Sequence, residues 1–170
     1  MLIAIMSGMI AFLAMARTND QTPAEKLNAE GNDLGRARKF SEAIKRYSRA
    51  IELDPTYDEP YYNRGKAKLN LNDYRGAVAD FNLALRLTPK SADTYNNRGI
   101  ARRKLGDIKG AIEDYTTALH LDPTLYRVHL NRGIALFDVD NIAAACEDFR
   151  KALQHGIPEA AEALRQVGCS

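Results

Sequence analysis

The apolar residues of this chain are distributed in two unlike ways, divided near residue 17. From Met1 to Ala16 the chain reads MLIAIMSGMIAFLAMA, apolar except for Ser7 and Gly8 and without a charge before Arg17. Beyond that point apolar residues return every three or four positions, the spacing that lines one face of a helix. The periodic segments are separated by Gly, Asn, Asp and Pro, which stop helices or turn the chain. The pattern predicts first helices over 24–37, 58–71, 92–105 and 126–138. Each is followed by a second helix, over 40–53, 74–87, 108–121 and 142–154.

The eight segments are one unit written four times. Pro55, Pro89 and Pro123 are thirty-four residues apart, and Pro158 comes one residue late. Gly31, Gly65, Gly99 and Gly133 keep the same step. So do Ala43, Ala77, Ala111 and Ala145, then Ala50, Ala84, Ala118 and Ala152, with Tyr47, Phe81, Tyr115 and Phe149 between them. Glycine and alanine at fixed positions remove bulk where helix backbones cross closely. The aromatic is expected to fill the space between neighbouring units. Asn72-Asp73 and Gly106-Asp107 supply the tight turn inside the hairpin, and proline ends the second helix. A single hairpin cannot bury its apolar stripe, so the units must stack.

The run Tyr95-Asn96-Asn97-Arg98-Gly99-Ile100-Ala101, continued by Lys104-Leu105-Gly106-Asp107, Ala111-Ile112-Glu113-Asp114-Tyr115 and Leu121-Asp122-Pro123, resembles the tetratricopeptide repeat. The Trp of that family's first helix is replaced by Leu27, Tyr61, Tyr95 and His129. The resemblance implies an all-α fold, a right-handed superhelical stack of helix–turn–helix repeats (an α-solenoid). Its units are 24–57, 58–91, 92–125 and 126–159. An N-terminal hydrophobic helix over 1–16 and a linker over 17–23 precede them. Residues 160–170 complete a C-terminal capping helix, opened by Pro158 at its first turn and striped with Ala160, Ala161, Ala163 and Leu164.

All four methionines lie in the leader, which as a helix would rise roughly 24 Å against a hydrocarbon core about 30 Å thick. Two readings stay open. One is an export signal cleaved after Ala14-Met15-Ala16; the other is a retained membrane anchor that makes membrane contact through residues 1–16. Either places the chain in an exported (periplasmic or other extracytoplasmic) compartment, or tethers it there by its N-terminus. Cys146 and Cys169 flank the turn at His155-Gly156, so an antiparallel hairpin returns them alongside each other. They form a disulfide, or Cys146 is a small core residue and Cys169 a free thiol.

Twenty-four basic and twenty-two acidic residues leave a net charge of +2, which gives no field for nucleic acid. No phosphate-binding glycine loop, nucleophile elbow or paired metal-ligand motif occurs, and His120, His129 and His155 are scattered. Adjacent Glu113-Asp114 and Glu147-Asp148 fall on successive faces of second helices and read as solvated. No catalytic residue, metal site or cofactor is expected.

In stacks of this family the first helices line a concave groove, and the resemblance implies that ligands lie there. Asn63, Asn97 and Asn131 share one groove position. Such amides hold an extended peptide backbone or satisfy local backbone groups, and both readings stand. Neighbouring faces add Tyr62, Lys66, Asn96, Ile100, Arg103, Leu130, Ile134 and Phe137, polar in the middle and more apolar toward the fourth unit. Chaperone-binding members grip a terminal carboxylate with two asparagines and three cations. The matching positions here are Asn28 and Asn32, Asn63, then Asp93 and Asn97: both asparagines are present and all three cations are absent. Glu25, Glu59 and Asp93 make that groove edge acidic, so a carboxylate-clamp chaperone partner is not expected. The expected function is a non-enzymatic scaffold or adaptor that binds a peptide or protein segment in the groove. The alternative is a membrane-tethered structural subunit or assembly factor that docks by its convex face.

Overall fold

A computed structural model describes residues 21–169; the leader over 1–16 lies outside the described residues. Among those described, the chain forms α1 (Pro23–Arg36), α2 (Phe40–Leu53), α3 (Asp58–Asn70), α4 (Tyr74–Leu87), α5 (Ala92–Lys104), α6 (Ile108–Leu121), α7 (Tyr126–Phe137), α8 (Ile142–Gln154) and α9 (Glu159–Val167), with no strand. The boundaries fall within one residue of those the spacing predicts. First helices stop one position early because Ala37, Leu71, Leu105 and Asp138 serve as C-caps. The final helix departs further from expectation. Pro158 is its N-cap rather than part of its first turn, and Gly168, at φ 73°, ends it in a left-handed cap before Cys169.

The turn inside each hairpin is built the same way from different residues. Arg38, Asn72, Gly106 and Asp140 all take positive φ, between 58° and 84°. The residue after each is the N-cap of a second helix. Asp73, Asp107 and Asn141 accept a backbone N–H from three residues on, at 2.9, 3.0 and 3.4 Å. Lys39 holds the same place in the first unit and makes no such bond.

The period-34 ladders meet in the core. A Cβ added to Gly31, Gly65, Gly99 or Gly133 would fall 2.5–2.7 Å from a ring carbon of Tyr47, Phe81, Tyr115 or Phe149, the aromatic of the same unit. The ring therefore closes its own hairpin against bare backbone. It also reaches the next unit, as expected: Tyr47 clusters with Ala67, Phe81 with Ala101, Tyr115 with Ala135, and Phe149 with Ala160. α9 packs against α8 and touches α7, as each earlier first helix does with the two helices before it, so it acts as a truncated fifth first helix over the last ring.

A second ladder, absent from the sequence reading, joins the two helices of each unit by charge and reaches the preceding unit through neutral side chains. Arg64 grips Asp80 through Nε and Nη2 at 2.9 and 2.7 Å, Arg98 grips Asp114 at 2.9 and 2.6 Å, and Arg132 grips Asp148 at 2.7 and 2.9 Å. Each arginine also reaches back one unit with Nη1, to Ser48, Asn82 and Thr116. Lys68, Arg102 and His129 add a further partner to the same three carboxylates. This corrects the reading of the adjacent acids: Glu113 and Glu147 are exposed, but Asp114 and Asp148 are buried. Two neighbouring carboxylates on a helix point about 100° apart, so only one can turn inward toward the arginine.

Successive first helices touch each other, α1 with α3, α3 with α5, α5 with α7 and α7 with α9, whereas successive second helices do not. The first helices therefore lie on the short, inner radius of the stack. That is the face to examine for a partner.

Candidate protein-interaction site

α3, α5 and α7 carry the groove residues expected from the sequence, and the structure settles how their amides are used. Asn63 Nδ2 donates to Asn28 Oδ1 at 3.1 Å, Asn97 Nδ2 to Tyr62 Oη at 3.2 Å, and Asn131 Nδ2 to Asn96 Oδ1 at 3.0 Å. Each bond joins a first helix to the one before it, so one of the two N–H groups of each amide is structural. No donor among the described residues reaches Oδ1 of Asn63, Asn97 or Asn131, and no buried side-chain polar atom among them lacks a partner. Those oxygens therefore reach water, one per unit along the inner surface, and the second N–H of each amide has no partner among the described residues either.

The first-unit end is closed differently. Buried Asn28 donates to Tyr57 Oη at 3.0 Å and Glu59 Oε2 at 3.1 Å while accepting from Asn63, which leaves its amide fully occupied. Tyr57 also donates to Glu59 at 2.7 Å; burial, followed by this carboxylate, holds its hydroxyl pKa well above the usual phenol range. Asn32 Oδ1 accepts from Tyr47 Oη at 2.9 Å. The acidic edge is also partly spent. Glu25 completes a capping box with Thr22, and Glu59 is turned onto Asn28 and Tyr57. Asp93 stays exposed, and after burial it is the next cause of the raised Tyr62 pKa.

Three cavities open along this face. One of about 410 Å³ lies between the first two units, with Asn32, Asn63, Lys66 and Asn70 among its walls. Two others, of about 190 and 380 Å³, adjoin at Arg103 and Ile134 near the other end. The structure thus brings Ile100, Arg103, Leu130, Asn131, Ile134 and Phe137 to this second pair, and Asn63 and Lys66 to the first cavity. Lys66 Nζ stands 5.1 Å from the Tyr62 ring centre, a cation–π arrangement in the groove. Tyr62 and Asn96 line none of the three and serve mainly to receive the amides of the next unit. Arg103 is held across the groove by Asp138, with Nε to Oδ2 at 2.6 Å. Among the described residues there is no group of three or more potential metal ligands, and no helix is long and apolar enough to cross a membrane.

At the far end, Cys146 on α8 and Cys169 beyond α9 form a disulfide, with Cα atoms 5.8 Å apart.

The repeat geometry has close counterparts. The TPR repeat model matches residues 38–72 and 65–106, and the tetratricopeptide repeat model matches 92–125, so together they cover more than half of the chain without a gap. The chain belongs to the tetratricopeptide repeat family. Tetratricopeptide repeats are protein–protein interaction modules, in general without catalytic activity of their own, and a protein or peptide partner follows for this one. Human serine/threonine-protein phosphatase 5 is 42% identical over 57 residues, a match spanning 34% of this chain and 11% of that protein. The chain thus spans between about a tenth and a fifth of the length of the curated relatives it matches. The crystal structure of MamA superposes with a TM-score of 0.75 at 25% identity, covering 82% of this chain and 81% of MamA. The first TPR of Spaghetti (RPAP3), solved with the HSP90 peptide SRMEEVD, superposes with a TM-score of 0.69 at 28% identity, covering 71% and 96%.

Proposed function

We propose that the chain holds an extended peptide or protein segment against the inner face of its first helices and carries out no reaction on it. The observation behind this reading is the row of Asn63, Asn97 and Asn131, each held to the preceding unit by one amide N–H, with its carbonyl oxygen and its second N–H left unpartnered among the described residues. A row of such amides one helix spacing apart, about 8–10 Å, suits the backbone N–H and C=O groups of a strand laid across the helices. The same chemistry argues against a terminal carboxylate as the ligand. Asn28 has no open amide, Asp93 adds negative charge, and the three cations of a carboxylate clamp are missing. The apolar run over 1–16 further supports export or tethering to a membrane, where a disulfide persists. The mass of the mature N-terminus decides between a start at Met1 and one near Arg17.

The test is selection of a displayed random-peptide library on the full chain, with affinities then measured by fluorescence anisotropy. Replacing Asn97 and Asn131 together by Ala should weaken the selected peptides at least tenfold. Lys45→Glu with Glu113→Lys, on the exposed surface of the second helices, should change nothing. Binding that survives the first pair and fails with the second refutes the inner-face site and favours docking by the convex surface.

A further inference from the structure

The two ends of the inner face differ in chemistry, and the difference specifies a partner. The cavity between the first two units is lined by three amides, by Arg36 and Lys66 and by the rings of Phe40 and Tyr47, and no carboxylate lines it. The cavity of about 380 Å³ between α7 and α9 has an apolar floor that includes Leu130, Ile134 and Val167, with Phe137 at its mouth, 43% exposed. Three carboxylates, Asp138, Glu159 and Glu162, line it against the single guanidinium of Arg103. Arg127 and Arg165 pair with Glu159 and Glu162 from outside the lining, with exposed side chains throughout. Exposed pairs of that kind hold weakly, so a partner's cation can take their place.

One wall of this cavity is α9, which supplies Glu159, Glu162, Ala163, Gln166 and Val167. The helix has only nine residues, too short to persist without tertiary support, and its C-terminal end is tied to α8 through Cys146 and Cys169. We propose that the cavity receives a bulky apolar side chain of a partner segment flanked by lysine or arginine, and that the disulfide holds the wall against which that side chain packs. The proposal rests on the inner-face reading above and adds to it the chemistry of the ligand and a dependence on oxidation.

The probes are fluorescein-labelled twelve-residue peptides with a central Leu-Phe pair flanked by lysines, by glutamates, or by lysines with the pair replaced by serines. Anisotropy on the oxidised full chain should show the lysine-flanked apolar peptide binding about tenfold or more tighter than the other two. Phe137→Ser, and separately Glu159→Gln with Glu162→Gln, should each remove most of that preference. Reduction with a phosphine, or Cys169→Ser, should weaken binding severalfold while circular dichroism shows the helices retained. Equal affinity for the lysine and glutamate peptides overturns the charge assignment. Affinity unchanged by reduction, with loss of the disulfide verified by mass, overturns the role given to the cross-link. If library-selected peptides lose affinity on replacement of Asn97 and Asn131 but ignore Phe137→Ser, this inference fails and the inner-face reading survives; indifference to both sets refutes both. A dimer by sedimentation that dissociates on Phe137→Ser assigns the cavity to a second copy and overturns the proposal.

Discussion

Asp114 is where the charge ladder can be weighed. Its side chain is 3% exposed and takes two hydrogen bonds from Arg98, with Arg102 at 3.1 Å. Asp114→Ala leaves the Arg98 guanidinium, 15% exposed, without a carboxylate, and Arg102, 24% exposed, with only Asp107 at 3.7 Å. Breaking a buried pair from one side costs about 3–5 kcal/mol, and water reaching both arginines puts the expectation near the lower figure, about 3 kcal/mol. The molecule contains its own control. In the first unit the charges at the same two positions are exchanged, Glu30 with Arg46 at 3.2 Å, and both side chains are more than half exposed. Arg46→Ala should therefore cost less than about 1 kcal/mol. Urea unfolding followed at 222 nm reads both: with a slope of about 2 kcal/mol per M, Asp114→Ala lowers the midpoint by roughly 1.5 M and Arg46→Ala by less than about 0.5 M. Added salt should erase the second difference and leave most of the first. Equal shifts for the two variants, or loss of the Asp114 effect in salt, would show that Asp114 is solvated and refute the ladder as a buried network. The triple replacement Arg98→Met, Arg102→Met and Asp114→Leu should recover most of the lost stability, since apolar side chains of similar volume replace a buried ionic triad at little cost.

Two other outcomes follow from the same structure. Lys39 has φ −85° and ψ 60°, close to the −80° and 73° of Asp73, yet supplies no cap, so Lys39→Asp should stabilise by about 1 kcal/mol, read as a raised urea midpoint at unchanged slope. Burial raises Tyr47 to about 12, and it raises Tyr57, Tyr62 and Tyr115 in the same direction. The folded chain holds these protons more tightly than the unfolded chain, whose tyrosines titrate near pH 10, so their contribution is intact below about pH 10 and is lost as pH rises toward 12. Tyrosinate absorbance at 295 nm and helix content should then change together; complete ionisation of a still-helical chain would contradict the burial of these rings.

The helices, their boundaries and the stacking were legible because period-34 repetition is a local, one-dimensional signal. Gly99 and Tyr115 announce a close approach by residue type alone, and Pro89 or Pro123 marks where a unit ends. The amides show where that legibility stops. Asn97 can be placed on the inner face by counting, but the direction of its amide depends on Tyr62, which lies thirty-five residues earlier and meets it only when two units dock. The burial of Asp114 is likewise invisible beside Glu113, because the choice between two adjacent carboxylates is made by an arginine on another helix.

Sequence alone therefore determined the unit, its register and the cap, since each is set by contacts within a hairpin or between identical neighbours. The tertiary structure decided what the inner face offers a partner: amides each fixed by one N–H, with the carbonyl oxygen left unpartnered, along its length, and at one end an apolar cavity with acidic walls. Those properties arise where non-identical side chains from successive units meet, and no periodicity encodes them.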